Sequence, residues 1–190
     1  MTQIAIFASG AGSNAKKIIE YIQQKKNNTA NISLVVCNKP DAGVLTIAEE
    51  NNIPTILIDK EKFFRDNGYV DELRAARIDL IVLAGFLWKI PTSLVKAYHK
   101  KMINIHPALL PKYGGKGMYG RFVHEAVLAN KEKESGITIH YVDDVYDNGQ
   151  IILQATCMID ENETPETLAN KVQILEHRHF PTAVALLATL

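Results

Sequence analysis

Hydrophobic positions fall into short dense runs, separated by stretches where they recur every three or four residues. Ile4–Ala8, Ile32–Cys37, Thr55–Ile58, Leu80–Ala84 and Met102–Ile105 are the dense runs, and each reads as a strand. Leu80–Ala84 (Leu-Ile-Val-Leu-Ala) has no polar residue, which fits a strand covered on both faces. The intervening segments predict helices over about Ala15–Gln24, Gly43–Asn51 and Lys60–Ala76, the last charged and amphipathic. Strands that alternate with helices imply βαβ units and a doubly wound, mostly parallel sheet.

The pattern changes in the second half. Gly136–Val142 and Ile151–Cys157 are strand-like and joined by a short turn rich in Asp, Asn and Gly, so they predict a hairpin. A hairpin requires one strand to run antiparallel to its neighbour. Thr164-Pro165 then opens a long final helix, with Thr as N-cap and Pro at the first helical position. No internal repeat, low-complexity tract or Pro/Gly/Ser linker interrupts the chain. The expected fold is α/β: a Rossmann-like, mostly parallel sheet with helices on both faces and one antiparallel strand in the C-terminal half. Residues 1–190 are read as one domain.

Composition narrows the functional classes. Nearly half of the 190 residues are hydrophobic (47%), enough for a sizeable core. Lys+Arg and Asp+Glu both number 21, so the basic excess typical of nucleic-acid binding is missing. No apolar window reaches the ~18 residues of a membrane span. The first residues lead straight into a strand without a basic stretch and apolar signal core. Cys37 and Cys157 lie far apart in apolar runs and read as buried thiols in a reducing compartment. A cytoplasmic protein acting on small molecules is expected, as a monomer or homodimer, without nucleic-acid or membrane partners.

Two segments carry candidate chemistry. Ser9-Gly10-Ala11-Gly12-Ser13-Asn14 lies between the first strand and the first helix. Successive backbone N–H groups and a helix N-terminus there suit a phosphate, although a tight turn with an N-cap explains the same residues. Gly10-x-Gly12-x-x-Ala15 also fits a loose dinucleotide pattern, which calls for an acidic residue closing the second strand. That strand ends Val36-Cys37-Asn38-Lys39, so a mononucleotide or sugar phosphate is favoured over NAD.

The second segment is Asn104-Ile105-His106-Pro107, at the carboxyl end of the fifth strand, where open α/β sheets bind ligands. Alternation puts Asn104 and His106 on one face. An amide donates to a developing oxyanion, and an imidazole moves protons near neutral pH. Asp147-Asn148-Gly149 lies in the hairpin turn, and nothing local brings Asp147 to His106. His177 and His179 lack metal-ligand spacing, and no Cys or carboxylate cluster supports a metal, so none is expected. His99, His124 and His140 read as surface or satisfied core histidines.

These segments resemble the phosphoribosylglycinamide formyltransferases, folate-dependent enzymes of purine synthesis, almost end to end. The parts that carry the resemblance are Ser9–Asn14, Leu83–Phe86, Asn104–Tyr113, Asp147–Gly149 with Ile151–Gln154, and Gln173 with Glu176-His177. The resemblance implies that Gly12, Ser13 and Asn14 bind the ribotide phosphate, with Gln173 and Glu176 as further ribotide contacts. It places the folate segment on Leu87, Trp88, Lys89 and Ile90, together with Asn104 and, in a loosely aligned stretch, Arg65. It makes Asn104, His106 and Asp147 the catalytic residues and 10-formyltetrahydrofolate the co-substrate. In the reaction expected on this basis, Asn104 and protonated His106 stabilise the oxyanion, and Asp147, if close to His106, favours the imidazolium by raising its pKa.

The chain departs from the family pattern in two places. A glycine-rich stretch, Gly114–Gly120, stands where a short Pro-Gly turn is common, and Trp88-Lys89 replaces an aliphatic–basic pair. Methionyl-tRNA formyltransferase and formyltetrahydrofolate hydrolase share the catalytic core but carry extra domains, and the chain reads as one domain. A non-catalytic binding module and an NAD-linked dehydrogenase are the readings from other classes.

Overall fold

The computed structural model describes residues 1–25, 29–65 and 68–189. The chain runs β1 (Thr2–Ala8), α1 (Ser13–Gln24), β2 (Ala30–Cys37), α2 (Gly43–Glu50), β3 (Thr55–Leu57), α3 (Lys60–Phe64) and α4 (Val70–Ala75). It continues through β4 (Leu80–Leu83), α5 (Thr92–Ala97), β5 (Met102–His106), α6 (Arg121–Ala129), β6 (Glu134–Tyr141), β7 (Ile151–Met158) and α7 (Pro165–Leu187). The strands form a seven-stranded sheet in the order β3-β2-β1-β4-β5-β6-β7. The pairings from β3 to β5 are parallel, and β6 runs antiparallel to both β5 and β7.

Alternation along the central strands sorts the core onto the two sheet faces. Ile4, Ile6, Val82, Ile103, Ile105, Ile137 and Ile139 pack with residues of α1, α2, α6 and α7. Ala5, Phe7, Ile81, Leu83 and Met102 point the other way, onto residues of α3, α4 and α5. Ile4, Ile6, Phe7 and Ile81 are fully buried, as expected for strands covered on both faces. Each such side chain contributes roughly 1.5–3 kcal/mol of transfer free energy.

The order reverses at β1, whose neighbours are β2 and β4. α1, which follows β1, packs on one face, and α5, which follows β4, packs on the other. The loops after β1 and β4 therefore diverge and leave a crevice at the carboxyl ends of the strands, the usual ligand position in such sheets.

Two local outcomes differ from the sequence reading. The single helix expected over Lys60–Ala76 is two short ones, because Gly68 (φ 20°) and Tyr69 (φ 50°) leave helical geometry. Residues 66–67 of that segment lie outside the described residues. α5 and α6 were not anticipated: α5 spans 6 residues, too few for a periodic signal, and α6 has no side-chain cap at its Gly120 start. The long final helix begins as expected, with Thr164 accepting from the Thr167 N–H and Pro165 in the first turn.

Candidate active site

A cavity of about 690 Å³ crosses the carboxyl edge of the sheet. One end is lined by Asn14 of α1 and by Ala169, Val172, Gln173 and Glu176 of α7. Asn104, His106, His124 and His140 line its middle, and Leu87, Trp88, Lys89, Ile90, Val142 and Tyr146 line the far end.

The first loop is shaped as much by packing as by ligand chemistry. Gly12 adopts φ 78°, and a Cβ there would lie 2.8 Å from Val44 Cβ, so both backbone and space demand glycine. Gly12 is the N-cap of α1 with no side-chain cap, which leaves the first-turn N–H groups free of a capping partner. The Ser9 hydroxyl accepts from the Leu87 N–H at 2.9 Å and ties this loop to the one after β4. Neither Gly12 nor Ser13 lines the cavity, whereas Asn14 does. The Asn14 amide donates to Glu176 Oε2 at 2.7 Å, and Gln173 donates to the Ser13 hydroxyl at 3.4 Å. Burial raises the Glu176 carboxyl above the usual glutamate range, and the Asn14 hydrogen bond offsets this in part.

At the other end, Trp88 packs 5.7 Å from both Phe63 and Phe64, ring centre to ring centre. The Lys89 ammonium lies 5.5 Å from the centre of the Tyr146 ring. This end is apolar and aromatic, with a charge at its rim, and suits a flat heteroaromatic group. Arg65 does not reach it. Its side chain is 72% exposed, sits 3.6 Å from Glu61 and lies outside the cavity. The folate contact that the resemblance assigns to Arg65 has no counterpart in the geometry.

The middle of the cavity holds the ionisable groups. Asn104 and His106 share one face of β5, opposite His140 and Thr138 of β6. His106 Nε2 lies 2.7 Å from the Tyr113 carbonyl oxygen. A carbonyl only accepts, so Nε2 carries the hydrogen and Nδ1 is the free base of the neutral ring. Nδ1 faces Asp147 Oδ2 at 3.6 Å.

The hairpin turn brings Asp147 there. Asp143 accepts from the Val145 N–H at 2.9 Å and from the Asn148 amide at 3.3 Å, which closes the turn on itself. A Cβ at Gly149 would collide with the Tyr141 carbonyl oxygen, so only glycine lets the two strands approach here. Asp147 sits at φ 52°, a left-handed conformation that aspartate tolerates better than most residues. Its Oδ2 also accepts from the Gly115 N–H at 2.9 Å, which ties the glycine-rich loop to the carboxylate. Residues 115–120 of that loop line the cavity.

Burial pushes His106 below the usual imidazole range, and this outweighs the opposing pull of Asp147 and of the Tyr113 carbonyl. Asp147 does raise the pKa, as expected, but a ring only 3% exposed loses more hydration than one carboxylate at 3.6 Å restores. Burial also works against the Asp147 charge. The neighbouring His140 ring, with Nε2 3.6 Å from Oδ1, the charge that His106 carries when protonated and the Gly115 N–H together prevail and hold that carboxyl below its usual range. The resting pair is a neutral imidazole beside a carboxylate.

The sequence reading passed over two of the histidines that line the cavity. His140 is 2% exposed, with Nε2 lying 3.2 Å from the Asn104 amide nitrogen and 3.6 Å from Asp147 Oδ1. His124 is 4% exposed, its Nδ1 has no partner, and burial lowers its pKa. The signal for His140 was a polar residue two beyond Thr138, alternating with the apolar Ile137 and Ile139. Among the described residues, no group of three or more His, Cys, Asp or Glu is arranged to hold a metal ion.

Comparison with known proteins fits this arrangement. Residues 2–184 match the family model described as formyl transferase. The chain is 42% identical over 187 residues to the chloroplastic phosphoribosylglycinamide formyltransferase of Arabidopsis thaliana, covering 96% of this chain and 64% of that protein. It thus spans slightly less than two thirds of that relative. It is 37% identical over 188 residues to the phosphoribosylglycinamide formyltransferase of Bacillus subtilis, covering 97% of this chain and 93% of that one. The crystal structure of the enzyme so named from Bacillus halodurans superposes with a TM-score of 0.88 at 35% identity, over 98% of this chain and 95% of that one. With residues 2–184 inside the family match, a solved structure superposing at a TM-score of 0.88 and Asn104, His106 and Asp147 gathered at one crevice, the chain belongs to the formyl transferase family.

Proposed function

We propose that the protein transfers the formyl group of 10-formyltetrahydrofolate to the primary amine of 5'-phosphoribosylglycinamide, a step of purine synthesis. The observation that carries this reading is the placement of Asn104, His106 and Asp147 in the middle of one cavity. Ribotide candidates lie at one end of that cavity and an apolar, aromatic face at the other. The names of the relatives support the choice of substrates. Asn14, Gln173 and Glu176 would hold the ribotide, with its phosphate on the Gly12–Asn14 backbone and the Ser13 and Asn14 side chains. Leu87, Trp88, Lys89 and Ile90 would hold the folate.

In this reading the amine nitrogen attacks the formyl carbon, and the carbonyl electrons move onto oxygen. The Asn104 amide donates to that oxyanion. Neutral His106 takes the proton of the attacking nitrogen on Nδ1 and becomes an imidazolium held between the Tyr113 carbonyl at Nε2 and the Asp147 carboxylate beside Nδ1. Collapse re-forms the carbonyl, breaks the bond to the folate nitrogen and returns a proton to it. His106 thus acts first as base and then as cation, which suits a resting pKa lowered by burial. No metal enters the scheme. No helix among the described residues is long and apolar enough to cross a membrane, and the proposed setting is the cytoplasm.

The test is steady-state turnover of 10-formyltetrahydrofolate, followed by absorbance, with and without the ribotide. Ribotide-dependent turnover that disappears in His106→Ala is the expected result. Turnover that ignores the ribotide would make water the acceptor, and no turnover at all would sink the reading.

A further inference from the structure

Asn104 is the proposed oxyanion donor, yet a side-chain amide can rotate by half a turn and present its oxygen instead. What holds it is visible in the hydrogen bonds of His140. His140 Nδ1 lies 2.8 Å from the Tyr141 carbonyl oxygen, which only accepts, so Nδ1 carries the hydrogen. In the neutral ring Nε2 is then a bare acceptor, and the Asn104 amide nitrogen stands 3.2 Å from it. The other amide orientation would set two acceptors against each other. Among the described residues no other protein group bonds to the Asn104 amide, so its second N–H and its oxygen remain for a ligand.

The fold secures this pairing from both strands. Asn104 and His140 are direct partners in the β5–β6 register. On the other side, β6 pairs Ile139 with Leu153 and His140 with Ile151, which leaves Ile152 as an extra residue of β7. Such bulges re-aim side chains beside functional sites. His140 is 2% exposed, so bulk water does not compete for Nε2.

We propose that His140 is a positioning residue: its Nε2 fixes the Asn104 amide so that the remaining N–H points at the reacting carbonyl oxygen. This rests on the formyl-transfer reading of the site. His140 touches neither substrate in this scheme and acts through Asn104. The other charged or titratable groups facing it are Asp147, with Oδ1 at 3.6 Å from the same Nε2, and His106 across that carboxylate.

Two variants separate positioning from bulk. His140→Gln keeps an acceptor near the position of Nε2. His140→Asn keeps a donor for Tyr141 but falls short of Asn104. A whole oxyanion donor is worth ~10²–10³ in rate, so a misdirected one is expected to lose about tenfold in kcat. His140→Asn should therefore lower kcat about tenfold, with KM for both substrates within about twofold, and His140→Gln should recover most of the loss. In an Asn104→Ala background, His140→Asn should cost no more than about twofold. A kcat within twofold of wild type for His140→Asn, or an equal loss in the Asn104→Ala background, overturns the proposal.

A second readout needs no turnover. The Asn104 side-chain amide resonances, identified by their absence in Asn104→Ala, should move in His140→Asn and stay near wild type in His140→Gln. If wild type transfers no formyl group, the functional reading fails, and this spectrum alone decides the role of His140. Unchanged resonances in His140→Asn sink it.

Discussion

Replacing Asp147 by Asn removes one charge and little else. The asparagine oxygen can still accept the Gly115 N–H, now at 2.9 Å from Oδ2, so the glycine-rich loop keeps its tether. What is lost is the attraction across 3.6 Å to His106 Nδ1. At that separation two unit charges attract by ~1 kcal/mol in water and by ~5 kcal/mol at an effective dielectric constant of 20. The two side chains are 4% and 11% exposed, so the true value lies between these limits.

The sign follows from the causes of the shift. Burial already holds His106 below its usual range and Asp147 opposes it, so removing Asp147 moves the ring further down. The imidazolium of the proposed transfer loses the same attraction, so kcat should fall by between about fivefold and ~10³-fold. The assay is an NMR titration of the His106 Cε1–H, identified by its absence in His106→Ala, alongside kcat at pH 7.5. A midpoint in Asp147→Asn at or above the wild-type one refutes the electrostatic argument. A kcat within about threefold of wild type refutes the role of the carboxylate in the reaction.

Other consequences can be checked directly. Gly149→Ala places a methyl group on the Tyr141 carbonyl oxygen, and because backbone must move, stability should drop by ~2 kcal/mol or more. An unchanged urea midpoint would contradict that. Glu176→Gln should raise the ribotide KM about tenfold, the worth of one good hydrogen bond to a charged acceptor, while kcat stays within about threefold. An unchanged KM would remove Glu176 from the ribotide site. Burial lowers the pKa of His106, His124 and His177, so below pH ~6.5 the unfolded chain binds more protons than the native one. Their stabilising contribution is complete above pH ~6.5 and declines as the pH falls through the native pKa values. The lowered Asp147 carboxyl adds a further loss below about pH 4. Denaturant midpoints that stay flat between pH 7.5 and 5.5 would show that these rings are not held neutral.

How much of this was legible in one dimension depends on the range of the interactions involved. Strand and helix identity follows from periodicity, which is local: the all-apolar Leu80–Leu83 announces a strand covered on both faces, and Thr164-Pro165 announces a helix start. Alternation likewise puts Asn104 and His106 on one face of β5 before any tertiary contact exists. The resemblance supplied Asp147, because its recurring neighbours Asn148 and Gly149 mark only a turn. Periodicity also misled where backbone geometry overrode it, as at Gly68 and Tyr69, which divide one amphipathic pattern into two helices.

Everything that makes the residues a site depends on closure of the sheet. Asp147 meets His106 because the β6–β7 hairpin folds back beside β5, a pairing across 41 residues of chain. His140 becomes the partner of Asn104 only through that antiparallel register, since the order of residues within β6 says nothing about what lies opposite. Arg65, at the C-terminal end of α3, pairs with Glu61 and stands outside the cavity, which its residue type alone does not reveal. The His106 pKa is also a tertiary quantity. Its direction is set by how much water the fold removes from the ring, set against one carboxylate that the fold brings near. Local periodicity yields the seven strands, the longer helices α1, α2 and α7 and the residue types able to do the chemistry, but not α5, α6 or the division of α3 from α4. Only the tertiary structure decided which of them meet and in what protonation state, because desolvation and charge pairing arise between segments that are distant along the chain.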